Sequence, residues 1–164
     1  MSTTALNLIA IDPGTTHSAT LEVFVPGIPK PAGSKRAFYI KKLGRAIITE
    51  DCKKSADWKG DVKNFAHVEM LGKQIIQAGP IALEIEFTMP RPKGHFGSGR
   101  NAAMIKPNAP HYHTIKPDAT KLLRCVEDAL TGTVYADDAL IVDQRVTKRY
   151  GEKPGARITI RRME

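Results

Sequence analysis

The clearest pattern along the chain is an alternation of apolar and polar residues with period two over residues 81–88. This alternation predicts a strand with one buried and one solvated face. Similar runs predict five further strands, at residues 18–25, 37–40 and 45–49, within 139–150 and at 156–161. The second and third of these are expected to form a hairpin, because the turn-forming pair Leu43-Gly44 separates them.

Residues 51–77 have helical periodicity instead. Their apolar side chains follow a broken helical stripe made of Trp58, Val62, Phe65, Leu71 and Ile75. Gly60 and Gly72 weaken this helix, because glycine costs conformational entropy in a helix. We expect a helix that packs on the sheet.

A second helix is predicted to begin near Pro117 and to end at Gly132. Proline is tolerated in a first helical turn, and Asp118 then lies where the helix dipole favours a carboxylate. The predicted buried stripe consists of Leu122, Leu123, Val126, Ala129 and Leu130.

The predicted order of strands and helices indicates an α+β fold: a single domain with a mixed β-sheet and helices mainly on one face. A chain of 164 residues with 41% hydrophobic content is long enough for one ordinary core. We assign residues 1–17 to an N-terminal extension and residues 18–164 to the domain.

The formal net charge of +8 favours an anionic partner such as nucleic acid, although a basic protein without such a partner is the plain alternative. No stretch approaches the roughly 18 apolar residues that span a bilayer, and no signal-peptide pattern is present, so we expect a cytoplasmic protein without membrane contact. Cys52 and Cys125 are expected to be reduced thiols.

Acidic residues are concentrated in one part of this basic chain. Residues 118–143 hold six of its 17 acidic residues, whereas residues 91–116 hold five Lys or Arg and no Asp or Glu. Carboxylates flanked by cations suggest metal ions facing a polyanion. The alternative is structural, with Asp118 as a helix-terminal charge and Asp137-Asp138 as an ordinary turn.

The sequence Lys116-Pro-Asp-Ala-Thr-Lys-Leu-Leu-Arg, followed by Glu127-Asp-Ala-Leu-Thr-Gly and Asp137-Asp-Ala-Leu-Ile-Val, resembles the signature of the RusA family of Holliday-junction resolvases, most closely its phage and prophage members. Gly27-Ile-Pro-Lys-Pro-Ala-Gly-Ser-Lys-Arg and Lys148-Arg-Tyr-Gly extend the resemblance to about residues 20–162. It implies a RusA-like fold and a homodimeric endodeoxyribonuclease that requires Mg²⁺, or alternatively Mn²⁺, and cuts branched DNA such as a four-way junction.

The resemblance also implies roles for individual residues. Asp118 and Asp138 match metal-binding aspartates, with Asp137 as a further candidate ligand, and Arg124 falls at the position of a catalytic lysine. Thr120 stands where the family has a second aspartate, and its hydroxyl brings no negative charge, so weaker metal binding is expected. A junction-binding module without cleavage is therefore the alternative function.

Basic and aromatic residues are the candidates for DNA contact. Flexible glycines and cations around Phe96 suit a loop that grips phosphates and stacks on a base. The predicted DNA-binding residues are Lys35, Arg36, Arg91, Lys93, Phe96, Arg100, Lys116, Lys121 and Lys148.

Three weaker signals have competing interpretations. His111 and His113 have the spacing of a metal-binding pair on a strand, but no third ligand is evident, so a substrate contact or a solvated loop is favoured over a metal site. Asp12 follows a strand-like run resembling the metal loop of RNase H-like proteins, and we leave it out of the site. The basic charge also suits an RNA-binding domain, which would prefer RNA to branched DNA.

Overall fold

A computed structural model describes residues 20–33, 35–40, 45–50 and 53–164, with the backbone alone for 35–40, 45–50 and 53–55. The predicted extension at residues 1–17 lies outside the described residues, as do Asp12 and Cys52. The side chains of Lys35 and Arg36 are likewise outside them, so their predicted DNA contacts stay predictions.

The strands confirm the predicted α+β class and agree with the predicted segments to within three residues at either end. In chain order they are β1 (Thr20–Pro26), β2 (Lys35–Ile40), β3 (Arg45–Glu50), β4 (Ile81–Pro90), β5 (Ile141–Gly151) and β6 (Gly155–Arg162). A mixed four-stranded sheet has the order β1-β6-β4-β5, and β2 pairs with β3 as the predicted hairpin. β4 is parallel to β5 and antiparallel to β6.

Period-two alternation gives this sheet one buried and one solvated face. Along β4, Ile81, Leu83, Ile85 and Phe87 are buried and their neighbour Glu84 is exposed. The buried residues of β1 and β6 belong to the same core cluster, which also contains side chains of both helices. The helices therefore cover one face, as the sequence predicts.

The first helix, α1 (Lys53–Glu69), is shorter than the predicted 51–77. Its buried side chains are Trp58, Val62 and Ala66, with Met70 just beyond its end. Phe65 and Leu71, predicted to be buried, are 41% and 67% exposed. Helix α1 ends before Leu71 and the chain turns at Gly72, whose φ is +75°, whereas Phe65 lies within the helix on its exposed face.

The second helix, α2 (Ala119–Leu130), runs beside β5 in the opposite direction. Near one end of the pair, the Gln144 side chain donates a hydrogen bond to Glu127, and near the other the Lys148 side chain donates to Pro117. Cys125 is buried in this helix as a thiol. Neither described helix has the length and apolar content needed to cross a membrane.

Candidate active site

Asp118 is the residue that precedes the first turn of α2. Its backbone is extended, with φ −68° and ψ 142°, and its carbonyl oxygen accepts a hydrogen bond from the Leu122 nitrogen at 3.1 Å. Its carboxylate makes no capping hydrogen bond, is 58% exposed, and lies 3.8 Å from the Lys121 Nζ atom. This carboxylate is therefore available to a ligand that approaches from solvent.

Lys148 holds the segment that leads into Asp118. From β5, its Nζ atom donates hydrogen bonds to the carbonyl oxygens of Ile115 at 3.0 Å and Pro117 at 2.6 Å. Its own carbonyl oxygen accepts from the His113 nitrogen at 3.1 Å. A single strand residue thus fixes the backbone on which the Asp118 side chain depends for its position.

The second acidic group lies by the C-terminal half of α2. Burial raises the pKa of Glu127, and the charges of Asp138 and Asp128 raise it further, whereas the Gln144 hydrogen bond and Arg124 lower it. These charges act on Glu127 because they lie near it, so Asp138 and Arg124 belong to its surroundings. Asp128 also pairs with Lys59 of α1 at 3.5 Å, which gives it a structural contact.

Asp137 is committed to the local turn. One of its carboxylate oxygens accepts a hydrogen bond from the Ala139 nitrogen at 2.8 Å, which caps the short 3₁₀ turn Asp138–Leu140. Asp138 is exposed, as are Thr120 and Arg124 on α2. Thr120 and Arg124 are four residues apart and therefore share a face of the helix.

Oxygen donors for a cation are thus distributed along α2 rather than gathered at one point. Within residues 20–33, 35–40, 45–50 and 53–164, no three His, Cys, Asp or Glu side chains are placed to share a metal ion. The acidic residues nonetheless carry the hard oxygen ligands that Mg²⁺ prefers, and Mg²⁺ usually takes part of its shell from water and substrate phosphate.

We expect Glu127→Gln to raise the melting temperature at pH 7. The pKa of Glu127 is higher in the folded state than its usual 4.5. The folded state therefore loses stability as the pH rises from the unfolded-state pKa to the folded-state pKa. Glutamine removes this charge and keeps an acceptor for Gln144. Because solvent screens the site, we expect about 1 kcal/mol or less.

Thermal unfolding at pH 7 and at about pH 3, where the carboxyl is almost fully protonated in both states, measures the effect. Asp143→Asn, which neutralises an exposed carboxylate on β5, is the matched control. If Glu127→Gln raised the melting temperature equally at both pH values, the stabilisation would not come from removing the Glu127 charge.

The loop at residues 91–116 is anchored on the end of β5. His95 and His113 pack their rings on Tyr150 at centroid distances of 4.7 and 4.9 Å, and Arg91 lies over the same ring at 5.6 Å. Arg91 also donates to the Pro110 carbonyl at 2.9 Å. Arg91 was a candidate for DNA contact and His113 for metal or substrate contact, and in the structure both side chains help to hold the loop.

The histidine pair is divided between the interior and the surface. His113 is 6% exposed, and burial, followed by the charge of Lys148, lowers its pKa. His111 is exposed and stacks edge-on with Tyr112 at 4.9 Å. No third metal ligand accompanies the pair within the described ranges. Of the two histidines, the exposed His111 is the one available for the predicted substrate contact, and a solvated loop stays the alternative.

Other predicted DNA-binding residues differ in their exposure. Phe96 is half-buried and forms a backbone bridge with Ile105 inside the loop, a position that anchors the loop. The exposed cations among the predicted set are Lys93, Arg100, Lys116 and Lys121. Lys116 and Lys121 line a cavity beside Asp118, whereas Lys93 and Arg100 lie on the 3₁₀ turns of the loop.

A cavity of about 440 Å³ lies beside Asp118, and we call it the Asp118 groove. Residues 28–31 form one wall, residues 116–118 with Lys121 form the other, and Met89 completes the lining. The hydrogen bond from the Ala32 nitrogen to the Lys121 carbonyl, at 2.9 Å, joins the two sides. The groove brings a carboxylate, three lysines and apolar side chains together at the start of α2.

Residues 27–161 match the family described as endodeoxyribonuclease RusA. The chain belongs to the RusA family. The resemblance seen in the sequence is therefore confirmed over most of the chain, and the α+β fold with its mixed sheet is consistent with it. The family consists of Holliday-junction resolvases that act on branched DNA and are generally dependent on divalent metals.

One curated relative is similar in sequence. The uncharacterised protein YqaN of Bacillus subtilis (strain 168) is 30% identical over 93 residues. The alignment covers 54% of this chain and 61% of YqaN, so the chain matches about three fifths of that relative's length.

Several residues around the RusA-family signature escaped the sequence prediction. Gln144 contacts Glu127 from a part of β5 that carries no motif, whereas Tyr150, which supports the loop, lies in the Lys148-Arg-Tyr-Gly motif without having been singled out. Lys30 and Ile28 line the groove and belong to the N-terminal motif at residues 27–36. That motif was the one signal that could have singled them out.

Proposed function

We propose that this RusA-family protein is an endodeoxyribonuclease that resolves four-way (Holliday) or other branched DNA junctions by metal-assisted hydrolysis of phosphodiesters. The exposed Asp118 carboxylate carries the proposal, since it lies at a helix start beside three lysines in a chain that matches an endodeoxyribonuclease family. Such a site can bind a cation and a phosphate together, which is what phosphodiester hydrolysis requires.

The cation is proposed to be Mg²⁺, with Mn²⁺ as the alternative. Asp118 would supply a carboxylate and Thr120 a hydroxyl contact at the start of α2, and Asp138, with the Asp137 oxygen that does not cap the turn, would supply carboxylates beside the other half of the helix. One or two carboxylates are sufficient for Mg²⁺ when water and phosphate complete its shell. When bound, the cation would neutralise phosphate charge and lower the pKa of the attacking water.

Arg124 is proposed to stabilise the charge that develops on the phosphate. It is exposed on the helix face that carries Thr120, and its guanidinium can hold two phosphate oxygens at once. An arginine remains protonated, so it can stabilise this charge but is unsuited to donating a proton to the leaving group. The leaving oxygen is therefore expected to take its proton from solvent.

Exposed cations would hold the junction arms. We propose Lys93, Arg100, Lys116 and Lys121 as phosphate contacts, together with Lys35 and Arg36 from β2. We also propose a homodimer in which each subunit cuts one strand, because resolving a four-way junction takes two cuts related by symmetry. A cytoplasmic location and a phage or prophage origin complete the proposal.

The alternative function is a junction-binding module that has lost cleavage, and Thr120 favours it. We expect instead that the wild type is active but needs a high Mg²⁺ concentration for half-maximal cleavage.

Thr120→Asp adds a carboxylate near the Asp118 end of α2 and is expected to lower the Mg²⁺ concentration for half-maximal cleavage by about tenfold.

Thr120→Asn is the matched control, because it adds a side chain of the same size without the charge. A wild type that binds junctions without cutting, and that cuts once aspartate is introduced, would establish the binding module.

Cleavage of a synthetic four-way DNA junction, beside a linear duplex of the same sequence, tests the proposed function. We expect cutting of the junction with Mg²⁺, no cutting with a chelator, and little cutting of the duplex. Equal cutting of duplex and junction would overturn the selectivity. Tighter binding to RNA than to the junction, with no cleavage, would indicate an RNA-binding domain.

A further inference from the structure

The walls of the Asp118 groove are fixed before any ligand arrives. At one end of the 28–31 wall, the Gly27 nitrogen donates to the Pro154 carbonyl at 3.0 Å, and Gly27 has a φ of +115° that favours glycine. At its other end, Ala32 is bonded to Lys121 of α2. The opposite wall is the segment that Lys148 holds. A preformed groove loses little conformational entropy when it binds a ligand.

The charges of the groove select an anion. Lys30, Lys116 and Lys121 contribute three ammonium groups, against the single carboxylate of Asp118. Lys121 has Asp118 as a neighbour at 3.8 Å, whereas Lys30 and Lys116 have no acidic partner in the part of the chain that the structure describes. Two lysines, one from each wall, are thus available for phosphate groups in the groove that Asp118 lines.

The groove has more apolar surface than the binding of phosphate groups requires. Ile28 is 46% exposed, and the half-buried Pro31 and Pro117 line the same groove, with the buried Pro29 behind them. The outside of a DNA duplex presents phosphates and sugars, which cations and polar groups satisfy. A ligand that covers Ile28 and the prolines must also carry a flat, weakly polar surface, and a nucleobase out of its helix has one.

We propose that the Asp118 groove binds one unpaired nucleotide at the branch point of the DNA, with its base against Ile28 and the prolines and its flanking phosphates on Lys30 and Lys116. The inference rests on the proposed function and names the part of the substrate that this site takes. Its volume of about 440 Å³ lies within the range of roughly 300–1,000 Å³ that is common for small-ligand sites. Bases next to a branch point are the easiest to unpair, so the cost of placing one in the groove is lowest there.

Fluorescence of 2-aminopurine tests the proposal in binding experiments without divalent metal, so that cleavage is not needed. The analogue replaces each nucleotide around the branch point in turn. Its emission rises when it leaves the base stack, and no aromatic ring lines the groove in the described part of the chain to quench it. We expect one position to brighten when wild-type protein binds.

Ile28→Ala removes the exposed apolar wall. We expect it to abolish that rise and to weaken junction binding about tenfold, the scale of losing one base contact. Val68→Ala is the matched control, because Val68 is 60% exposed on α1 and does not line the groove. Lys30→Gln is expected to weaken binding of all labelled junctions equally while leaving the rise in place.

A rise that persists in Ile28→Ala, or no rise at any position while the junction is bound, would overturn the groove proposal alone. Binding to the junction no tighter than to linear duplex, combined with no cleavage in Mg²⁺, would instead overturn the proposed function and the groove proposal with it. The two failures are therefore distinguishable by the binding curves.

Discussion

Asp118→Asn is expected to lower the single-turnover rate of junction cleavage by about 10³-fold or more and to change junction affinity by less than about threefold. Asparagine has the same size and keeps one oxygen, so the fold and the groove should persist. It removes the negative charge through which Asp118 would hold the cation. Binding energy from the lysines does not depend on that charge, which is why affinity should survive the change.

Gel-based cleavage at saturating protein, together with titration of a labelled junction in a chelator, separates the two quantities. Asp128→Asn is the matched control, since Asp128 belongs to the same helix but pairs with Lys59. We expect this variant to cleave within about threefold of wild type. Retained cleavage in Asp118→Asn would remove Asp118 from the catalytic site.

Lys148→Met is expected to have the second largest effect, a loss of cleavage of about 30-fold to 100-fold. The sequence predicted that Lys148 contacts DNA, but its ammonium donates to the carbonyls of Ile115 and Pro117. Methionine fills a similar space and donates nothing, so the segment that carries Asp118 should lose its fixed position. A displacement of about 1 Å is enough for a loss of this size.

A phosphate contact and a positioning role differ in what they change. If Lys148 positions Asp118, the cleavage rate at saturation falls, affinity is nearly unchanged, and Lys148→Arg restores part of the rate. If it contacts phosphate, affinity falls and the saturated rate is unchanged. Lys153→Met, which removes an exposed lysine from the turn after β5, is the control for loss of one positive charge.

The local elements of the fold were largely predictable because each carries its own pattern. The alternation at residues 81–88 identifies β4, and the apolar stripe of α2 identifies that helix to within two residues. The apolar stripe of α1 wrongly predicted that Phe65 is buried. A broken pattern is compatible with several helical faces, and the packing of the helix on the sheet determines which one is buried. The position of β6 between β1 and β4 depends on pairing between distant strands, which no local spacing specifies.

The site was predictable only where a motif marks it. Asp118, Thr120 and Arg124 lie in one signature, and Asp138 in another, so their candidacy comes from the resemblance to the RusA family. The side chains that support them were not predicted in that role. Lys148 lies in the Lys148-Arg-Tyr-Gly motif and was predicted to contact DNA, and its hydrogen bonds to two backbone carbonyls are visible only in three dimensions.

The contacts between β5 and α2 also limit which changes of chain length this fold can accept. Four residue steps separate Gln144 from Lys148, roughly 13 Å of strand, and eight helical steps separate Ala119 from Glu127, roughly 12 Å of helix, so the two lengths are similar. Inserting one residue between Gln144 and Lys148 would turn one of them to the opposite face of the sheet. We therefore expect an insertion in the exposed turn after β5 to be tolerated better than one between Gln144 and Lys148, which would break one of the two contacts with the α2 segment.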